Sequence, residues 1–473
     1  MSSASTQNNI RKTSRHEILV VGVVIAGAFL AILNQTVLAP ALPGLMESFG
    51  VNAGTAQWVT SIYMLVNGIM VPISAYLIDK FPTRTLFFSS MIVFIVGTIL
   101  CAMAPSFELL IVGRILQAAG AGVQMPLVAV VPMLVFPPEK RGTAMGMAGI
   151  VMSVAPAAGP VAAGVIIDSM GWRAMFWSIA PLGLLVLVVS FFLLSNVGEL
   201  KNPRLDMPSV LLSTVAFGGL LYGFSSASSL GWTSPIVLIA LVAGVICLVL
   251  FVRRQKKLDE PLLQIATLKS DIFASSAIIV TLINCAAAVT NVTLPIFLQN
   301  VLGASAFETG MVMMPAAAVG IIISPVSGVV FDKFGPRGIV LGGLAVMSAA
   351  LFGFSQIGPD TSLLMAAVLC TCMAAGQTMA NMPANTWGIN ALSNDMIAHG
   401  NAISNTGRQV GGAISTALIV TVMTMVSSSN ASLGVVESTA IGVNAAYGIC
   451  ALVGAVTLVF ALVKVRSTKK KEA

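Results

Sequence analysis

Two short charged segments of the chain resemble each other closely. Residues 74–84 and 327–337 each contain Asp-Lys-Phe, with a Ser five residues before the Asp and an Arg five residues after it. An Asp at a helix end can bind the N-terminus of a neighbouring helix and an Arg side chain. The repeat predicts a charge latch, against the simpler interpretation of ordinary interfacial charge. The predicted latch residues are Asp79, Lys80, Arg84, Asp332, Lys333 and Arg337.

Arg114 is a charged residue inside the apolar run 108–133. A charge in hydrocarbon costs several kcal/mol unless it is paired or hydrated. Its position therefore indicates a role in proton handling or in substrate binding. The alternative is a structural Arg that packs against backbone carbonyl groups and braces the surrounding helices.

Amide side chains recur inside the apolar runs with helical spacing. Pairs seven residues apart, or sets at i, i+4 and i+8, lie on one face of a helix. Because an amide is costly in lipid, we expect these side chains to line a central cavity, although hydrogen bonding between helices is the alternative. The predicted cavity residues are Asn34, Gln35, Gln117, Gln124, Asn284, Asn291, Gln377, Asn381 and Asn385.

The composition shows which kind of protein must position these residues. The chain has 473 residues, of which 57% are hydrophobic and only 9% are charged, whereas soluble domains carry about 25% charged residues. The net charge of +7 lies in short clusters between apolar runs, which is a topology pattern and does not indicate nucleic-acid binding. We find no nucleotide-binding loop, metal cluster or nucleophile–base pair, so the sequence predicts neither an enzyme nor a cofactor.

About fourteen runs of membrane-spanning length predict an all-α, polytopic membrane protein. Basic residues concentrate in alternate loops, so the positive-inside rule places both termini in the cytoplasm. Setting aside the runs 207–228 and 233–252 leaves six plus six, with the two charged segments at equivalent places. We predict a six-helix bundle at 1–196, an inserted helix pair and cytoplasmic linker at 197–270, and a second six-helix bundle at 271–473.

These motifs resemble those of the major facilitator superfamily, specifically its fourteen-span drug/proton antiporter branch, over nearly the whole chain. The two charged segments resemble that family's loop between helices 2 and 3, G-x-L-x-D-R-x-G-R, with Lys80 and Lys333 at the usual Arg. Residues 114–122 resemble the helix-4 pattern R-x-x-Q-G-x-G. The segment with Gly159, Pro160 and Gly164 resembles the antiporter motif G-P-x-x-G-G on helix 5.

The resemblance implies a fold of two six-helix bundles with two extra central helices, and a cytoplasmic latch that breaks as the protein opens inward. It also places the predicted amides on helices 1, 4, 7 and 10 of the twelve-helix core, which line the central cavity in this family. The implied function is secondary active export of hydrophobic or amphipathic small molecules, such as drugs, by alternating access and proton antiport. The implied partners are such substrates, protons and the bilayer of the cell membrane, with the protein as a monomer.

The chain departs from the resemblance at Asn34, where many relatives carry Asp in the pattern L-D-x-T-I-V-N-V-A-L-P. No acidic residue lies at mid-membrane depth in the predicted spans. A cavity without an acid suits neutral or anionic substrates, and Asn34→Asp is expected to widen the range towards cations. Proton coupling would then use an acid near a span end, His399, or a site linked to an Arg.

Two other functions remain open from the sequence. The chain is alternatively an exporter of a dedicated endogenous lipid, peptide or metabolite, because the motifs do not name a cargo. A non-transporting membrane sensor is the alternative from another class. The paired charged segments and the intramembrane Arg114 argue against a sensor.

Overall fold

A computed structural model describes residues 15–36, 38, 41–51, 53–56, 58–137, 140–197, 206–258, 261–304 and 306–465. The regular structure in these ranges is helical. In these ranges, fourteen helices have 19 residues or more: α1 Arg15–Thr36, α2 Trp58–Lys80, α3 Thr83–Met103, α4 Phe107–Val135, α5 Arg141–Met170, α6 Trp172–Leu193, α7 Met207–Leu230, α8 Pro235–Gln255, α9 Asp271–Ile296, α10 Ala306–Phe334, α11 Pro336–Phe354, α12 Leu363–Ile389, α13 Ile397–Ser429 and α14 Val435–Lys464.

Most of these helices have the length and composition of membrane spans. Within the described ranges, twelve are long and apolar enough to cross a membrane, and the bent helix α2 makes a thirteenth. Helix α5 is a further helix of 30 residues. The prediction of an all-α protein with many membrane spans is therefore confirmed. The chain ends, where many of the basic residues used for the topology prediction occur, lie outside the described residues.

The helices pack into two groups with separate buried cores. Helix α1 contacts α4, α5 and α6, while α3 packs on α4 and α6. In the second group, α9 contacts α12, α13 and α14, while α11 packs on α12 and α14. The two groups meet along two seams, α5 with α10 and α2 with α13. We call α1–α6 the first half and α9–α14 the second half.

The α5–α10 seam is narrow because both helices present small residues to it. A Cβ on Gly328 would overlap the backbone of Gly142, and a Cβ on Gly146 would lie 2.8 Å from the carbonyl oxygen of Ser324. The Ser324 hydroxyl donates a 2.8 Å hydrogen bond to the carbonyl of Gly146. Small residues let helix backbones approach in this way in membrane proteins.

Helices α7 and α8 form a pair that lies against the other seam. They approach closely, since a Cβ on Gly219 would come within 2.7 Å of the Ala240 carbonyl oxygen. Helix α7 contacts both α2 and α13. The indole nitrogen of Trp232, in the loop after α7, donates a 2.7 Å hydrogen bond to Thr421 Oγ1 of α13. The inserted pair therefore touches both halves at the α2–α13 seam.

Candidate functional site

Asp332 lies in the last turn of α10 and binds the first turn of α5 in the other half. Its Oδ1 accepts a 2.9 Å hydrogen bond from the backbone N–H of Gly142. Its Oδ2 accepts from the backbone N–H of Thr143 at 2.8 Å and from the Thr143 hydroxyl at 2.6 Å. First-turn N–H groups have no partner inside their own helix and carry its positive end. A carboxylate of the second half therefore caps a helix of the first half.

Asp79 makes the corresponding contact in the opposite direction. It lies in the last turn of α2, and its Oδ2 is 3.2 Å from Nε2 of His399 in the first turn of α13. Each half therefore reaches across to a helix start of the other half. We call the contacts of Asp332 with α5 and of Asp79 with His399 the crossed latch, and the end of the molecule that carries them the hairpin end.

The basic residues of the predicted latch do not take part in these crossed contacts. Lys80 donates a 2.6 Å hydrogen bond to the hydroxyl of Tyr76 on its own helix. Arg84 donates to the carbonyl of Phe191 in α6 at 2.8 Å, within its own half. Lys333 and Arg337 are exposed. Of the six predicted residues, the two Asp residues make hydrogen bonds or ion-pair contacts with the opposite half in the part of the chain that the structure describes.

A basic residue outside the predicted set also crosses between the halves. Arg141, at the start of α5, donates 3.2 Å hydrogen bonds to Asn390 Oδ1 and to Asn394 Oδ1, which follow α12. The sequence pattern gave no indication that Arg141 would contact these two Asn residues.

An apolar cluster lies next to the crossed latch and joins both halves. It contains buried side chains from α4, α5, α9, α12 and α13, among them Met133, Met145, Phe273, Met382 and Ile397. Burial of apolar side chains from both halves excludes water. The space between the halves is therefore closed at the hairpin end.

Arg114 lies inside the first half and is fully buried. Its guanidinium donates to Asn34 Oδ1 at 2.7 Å, to Gln117 Oε1 at 2.9 Å and to the carbonyl of Val59 at 3.0 Å. It also stacks 4.3 Å from the ring centroid of Tyr63. This arrangement ties α1, α2 and α4 together. It matches the structural alternative for Arg114 more closely than direct contact with a substrate.

The two glutamines predicted to line the cavity from α4 face α3 instead. Gln117 donates a 2.9 Å hydrogen bond to Thr98 Oγ1, and Gln124 lies 3.8 Å from the sulfur of Met91. Both side chains are fully buried. The seven-residue spacing correctly placed them on one face of α4, but that face packs within the first half. In this conformation neither reaches the space between the halves.

The amides of the second half are placed differently. Asn284 of α9 donates a 3.2 Å hydrogen bond to Asn381 Oδ1 of α12, so these two act between helices of one half. Asn385 is buried, and its side-chain oxygen has no hydrogen-bond partner. Asn291 is exposed, whereas Gln377 and, in the first half, Gln35 are half-buried.

The predicted antiporter motif lies in α5. Gly159 is buried there. The surroundings of Pro160 and Gly164 lie outside the described residues, so the role predicted for this motif stays a prediction.

A narrow pocket lies between the halves, beside the apolar cluster. It is bounded by α4 and α5 on one side and by α12 and α13 on the other. Its lining residues are Met125, Val128, Ala129, Met145, Ala148, Met382, Asn385, Asn405 and Arg408.

Comparison with known proteins identifies the architecture. A family model described as "Major Facilitator Superfamily" matches residues 24–214 and 207–416. The chain belongs to the major facilitator superfamily. It is therefore a membrane transporter and not an enzyme, as the sequence predicted.

Two bacterial members of the superfamily are similar over most of the chain. The "Uncharacterized MFS-type transporter YcnB" of Bacillus subtilis (strain 168) is 44% identical over 438 residues, which cover 93% of each chain. The "Lincomycin resistance protein LmrB" of the same organism is 37% identical over 407 residues, covering 86% of this chain and 85% of its own. These relatives place the protein in the drug-efflux branch of the superfamily and in a cell membrane.

The fold is similar to that of a solved superfamily structure. The human organic anion transporter MFSD10 superposes with a TM-score of 0.68 at 15% identity, covering 94% of this chain and 99% of its own. At this identity the likeness concerns the fold alone.

Arg408, which lines the pocket between the halves, was not among the site residues predicted from the sequence. Arg408 and Asn405 lie three residues apart on α13, and Asn401 precedes them by one turn. The spacing i, i+4, i+7 puts all three on one face of a helix. That spacing could have identified Arg408.

Proposed function

We propose that this protein is a secondary active exporter of hydrophobic or amphipathic small molecules that works by alternating access. The observation that supports this most is the crossed latch. Asp332 and Asp79 join the two halves through half-buried contacts with helix starts. Neither Asp belongs to the apolar core of its own half, so these contacts can break without disturbing either core. Alternating access requires two conformations of similar free energy, so that substrate binding can shift the equilibrium between them.

The pocket between the halves is the proposed substrate site. In the present closed arrangement it has room for about one water-sized group, so the halves must separate before it can admit a substrate. Both halves line it, and the apolar cluster separates it from the hairpin end. Opening of the crossed latch and separation of the cluster would connect the pocket to that end. With both termini and the hairpin end in the cytoplasm, as the positive-inside rule predicts, the present arrangement is closed towards the cytoplasm. The alternation takes place between the proposed bundles 1–196 and 271–473 of a monomer.

Drugs are the proposed substrate class because relatives are named for drug resistance, LmrB for lincomycin among them. The pocket itself is lined mainly by methionine and aliphatic side chains, which adapt to varied apolar shapes. It has no acidic side chain among its lining residues. We therefore keep the expectation of neutral or anionic substrates.

Proton antiport is proposed to use the carboxylates near the helix ends. Acidic residues in the described ranges lie near helix ends or in loops. Asp79 and Asp332 are half-buried and cross between the halves. Protonation of either would remove the negative charge that favours a helix N-terminus, and so would weaken its contact with the opposite half.

Proteoliposomes containing the full chain test the proposal. An imposed pH gradient should drive movement of the neutral dye N-phenyl-1-naphthylamine, and collapse of the gradient should stop it. A non-transporting sensor would give no flux of any compound. Flux that persists without a gradient would contradict proton antiport and leave the exporter assignment standing.

Growth protection separates a drug exporter from an exporter of one endogenous solute. Efflux-deficient cells expressing the protein should survive higher concentrations of several chemically unrelated neutral or anionic amphiphiles. No protection, with the protein verified in the membrane, would favour a dedicated lipid, peptide or metabolite as cargo. Robust protection against dications would contradict the acid-free pocket.

A further inference from the structure

Arg408 is the charged residue of the pocket between the halves. It lies on α13 nine residues beyond His399, which corresponds to about 13 Å along the helix axis from the hairpin end. Since the hydrocarbon core is about 30 Å thick, this depth is far from both surfaces. A guanidinium held there needs a counterion, ordered water or a ligand.

The rest of the described chain supplies no such partner. Within the described ranges, Arg408 has no hydrogen bond and no acidic neighbour, although it lines the pocket. Arg114 is the contrasting case, because Asn34, Gln117 and a backbone carbonyl accept hydrogen bonds from its Nε and Nη1, which leaves only Nη2 without a partner in the described chain. Arg408 therefore keeps its charge and its planar set of N–H donors available to the pocket.

Two amides and several apolar side chains surround this charge. Asn405 lies on the same face of α13, and Asn385 faces the pocket from α12 with a buried side-chain oxygen that has no partner. Met125 and Val128 of α4 line the opposite wall. The pocket thus has a cationic, hydrogen-bonding wall on the second half and an apolar wall on the first half.

We propose that Arg408 binds the anionic group of amphipathic substrates, a carboxylate or sulfonate, while the wall formed by α4 and α5 contacts their apolar body. The inference rests on the proposed export function and specifies its substrate class. Arg presents its donors in a fork that matches two oxygens of one anionic group. Asn405 and Asn385 add amide groups that can turn to donate to the same anion. A bound anion would also offset the desolvation of the guanidinium.

Two dyes with the same aromatic body provide the test. 8-Anilinonaphthalene-1-sulfonate is a permanent anion, and N-phenyl-1-naphthylamine is its neutral counterpart. Wild-type protein in proteoliposomes is expected to transport both. Arg408→Gln is expected to raise the KM for the sulfonate by about tenfold or more, the scale of a lost charge-assisted hydrogen bond. The KM for the neutral dye should stay within about twofold.

Two further variants separate charge from position. Arg408→Lys keeps the charge but not the fork, so it should bind the sulfonate with intermediate affinity. Gln409→Ala is the matched control, because Gln409 is on the same turn and its side chain approaches Gly68 of α2 instead of lining the pocket. Both dyes should be transported by Gln409→Ala as by wild type.

The other outcomes overturn the proposal in distinguishable ways. Unchanged sulfonate transport in Arg408→Gln, or an equal loss of both dyes with an unchanged melting temperature, would show that Arg408 does not recognise the anion. Wild-type transport of the neutral dye alone would reject the anion site and retain the exporter function. Transport of neither dye would count against the exporter function and, with it, the anion site.

A binding measurement decides the question if Arg408→Gln does not fold. Wild-type protein in nanodiscs should bind 8-anilinonaphthalene-1-sulfonate, and 1-naphthalenesulfonate should displace it. Neutral 1-naphthol should displace it at least about tenfold less well, since it lacks the second and third anionic oxygens. Equal displacement by 1-naphthol would reject the proposal.

Discussion

The guanidinium of Arg114 donates a 2.7 Å hydrogen bond to the side-chain oxygen of Asn34, and both residues are almost completely buried in the first half. Asn34 supplies a neutral acceptor where the family pattern that the segment resembles has Asp. The charge of Arg114 is held by Asn34, Gln117, a backbone carbonyl and the ring of Tyr63. Asn34 therefore belongs to the internal structure of the first half as much as to any cavity.

Asn34→Leu should destabilise the protein because it removes one acceptor from a buried guanidinium. Leaving a buried donor unsatisfied costs about 1–3 kcal/mol. We expect a lower melting temperature in detergent, measured by intrinsic fluorescence. The control is Gln35→Leu, because Gln35 is half-buried and should tolerate the change. Equal melting temperatures for Asn34→Leu and wild type would mean that Asn34 does not stabilise Arg114.

Asn34→Asp should leave cation transport unchanged, contrary to the expectation from sequence. The new carboxylate would lie at hydrogen-bond distance from Arg114, so the two charges would neutralise each other. Uptake of a cationic dye into inverted vesicles measures this directly. Cation transport that appears in Asn34→Asp would show that the carboxylate reaches the substrate despite Arg114, and would restore the original expectation.

The number and type of the helices could be predicted because membrane spans need long apolar runs with internally satisfied backbones. The sequence also singled out the two Asp residues that contact the opposite half, since a repeated acid at two helix ends is a local pattern. Their role as a latch stays a prediction. The prediction that Gln117 and Gln124 line the central cavity is wrong for this conformation, because both side chains face α3. Their spacing shows that they share one face of α4, but it does not show which helix packs against that face. The contact between Asp79 and His399 could not be predicted, because it depends on how α2 packs on α13.

Asp332→Ala should open the α5–α10 seam by removing the cap from the first turn of α5. The amides of Gly142 and Thr143 would lose a charged acceptor, and each such hydrogen bond contributes about 1.5–3 kcal/mol. We expect hydrogen–deuterium exchange of a peptide covering 141–146 to accelerate by about tenfold or more. Lys333→Ala is the control, because Lys333 is exposed on the next position. If both variants exchange like wild type, Asp332 does not hold the seam.

Asp206→Asn should reveal a pH-dependent contribution to stability near α7. Hydrogen bonds from Arg254, at 2.6 and 2.8 Å, lower the pKa of Asp206 to about 2. Because this pKa is below the usual value of 3.8, the stabilisation is complete above about pH 4 and is lost as the pH falls towards 2. Since Arg254 is partly exposed, solvent screening should keep the difference in stability at pH 7 small.

Thermal unfolding in detergent at several pH values measures this difference. The gap in melting temperature between wild type and Asp206→Asn should stay constant above about pH 4 and narrow as the pH falls from 4 towards 2, since the wild-type carboxylate is then protonated. Arg253→Gln, which changes the exposed neighbouring arginine, should behave as wild type throughout. A gap that is constant with pH would assign the effect to packing.

Gly328→Ala should prevent full closure at the hairpin end, although it adds only one methyl group. That methyl would overlap the backbone of Gly142, and backbone cannot move aside as a flexible side chain can. The equivalent residue in the first half, Ala75, is fully buried and already has a Cβ, so the two seams differ in how closely their helices approach.

Gly338→Ala is the matched control, because a Cβ there would meet no atom within 4 Å. Exchange in the peptide covering 141–146 and the transport rate should change in Gly328→Ala and not in Gly338→Ala. Wild-type exchange and transport in Gly328→Ala would show that the α5–α10 seam can widen by a methyl group without affecting the closed state.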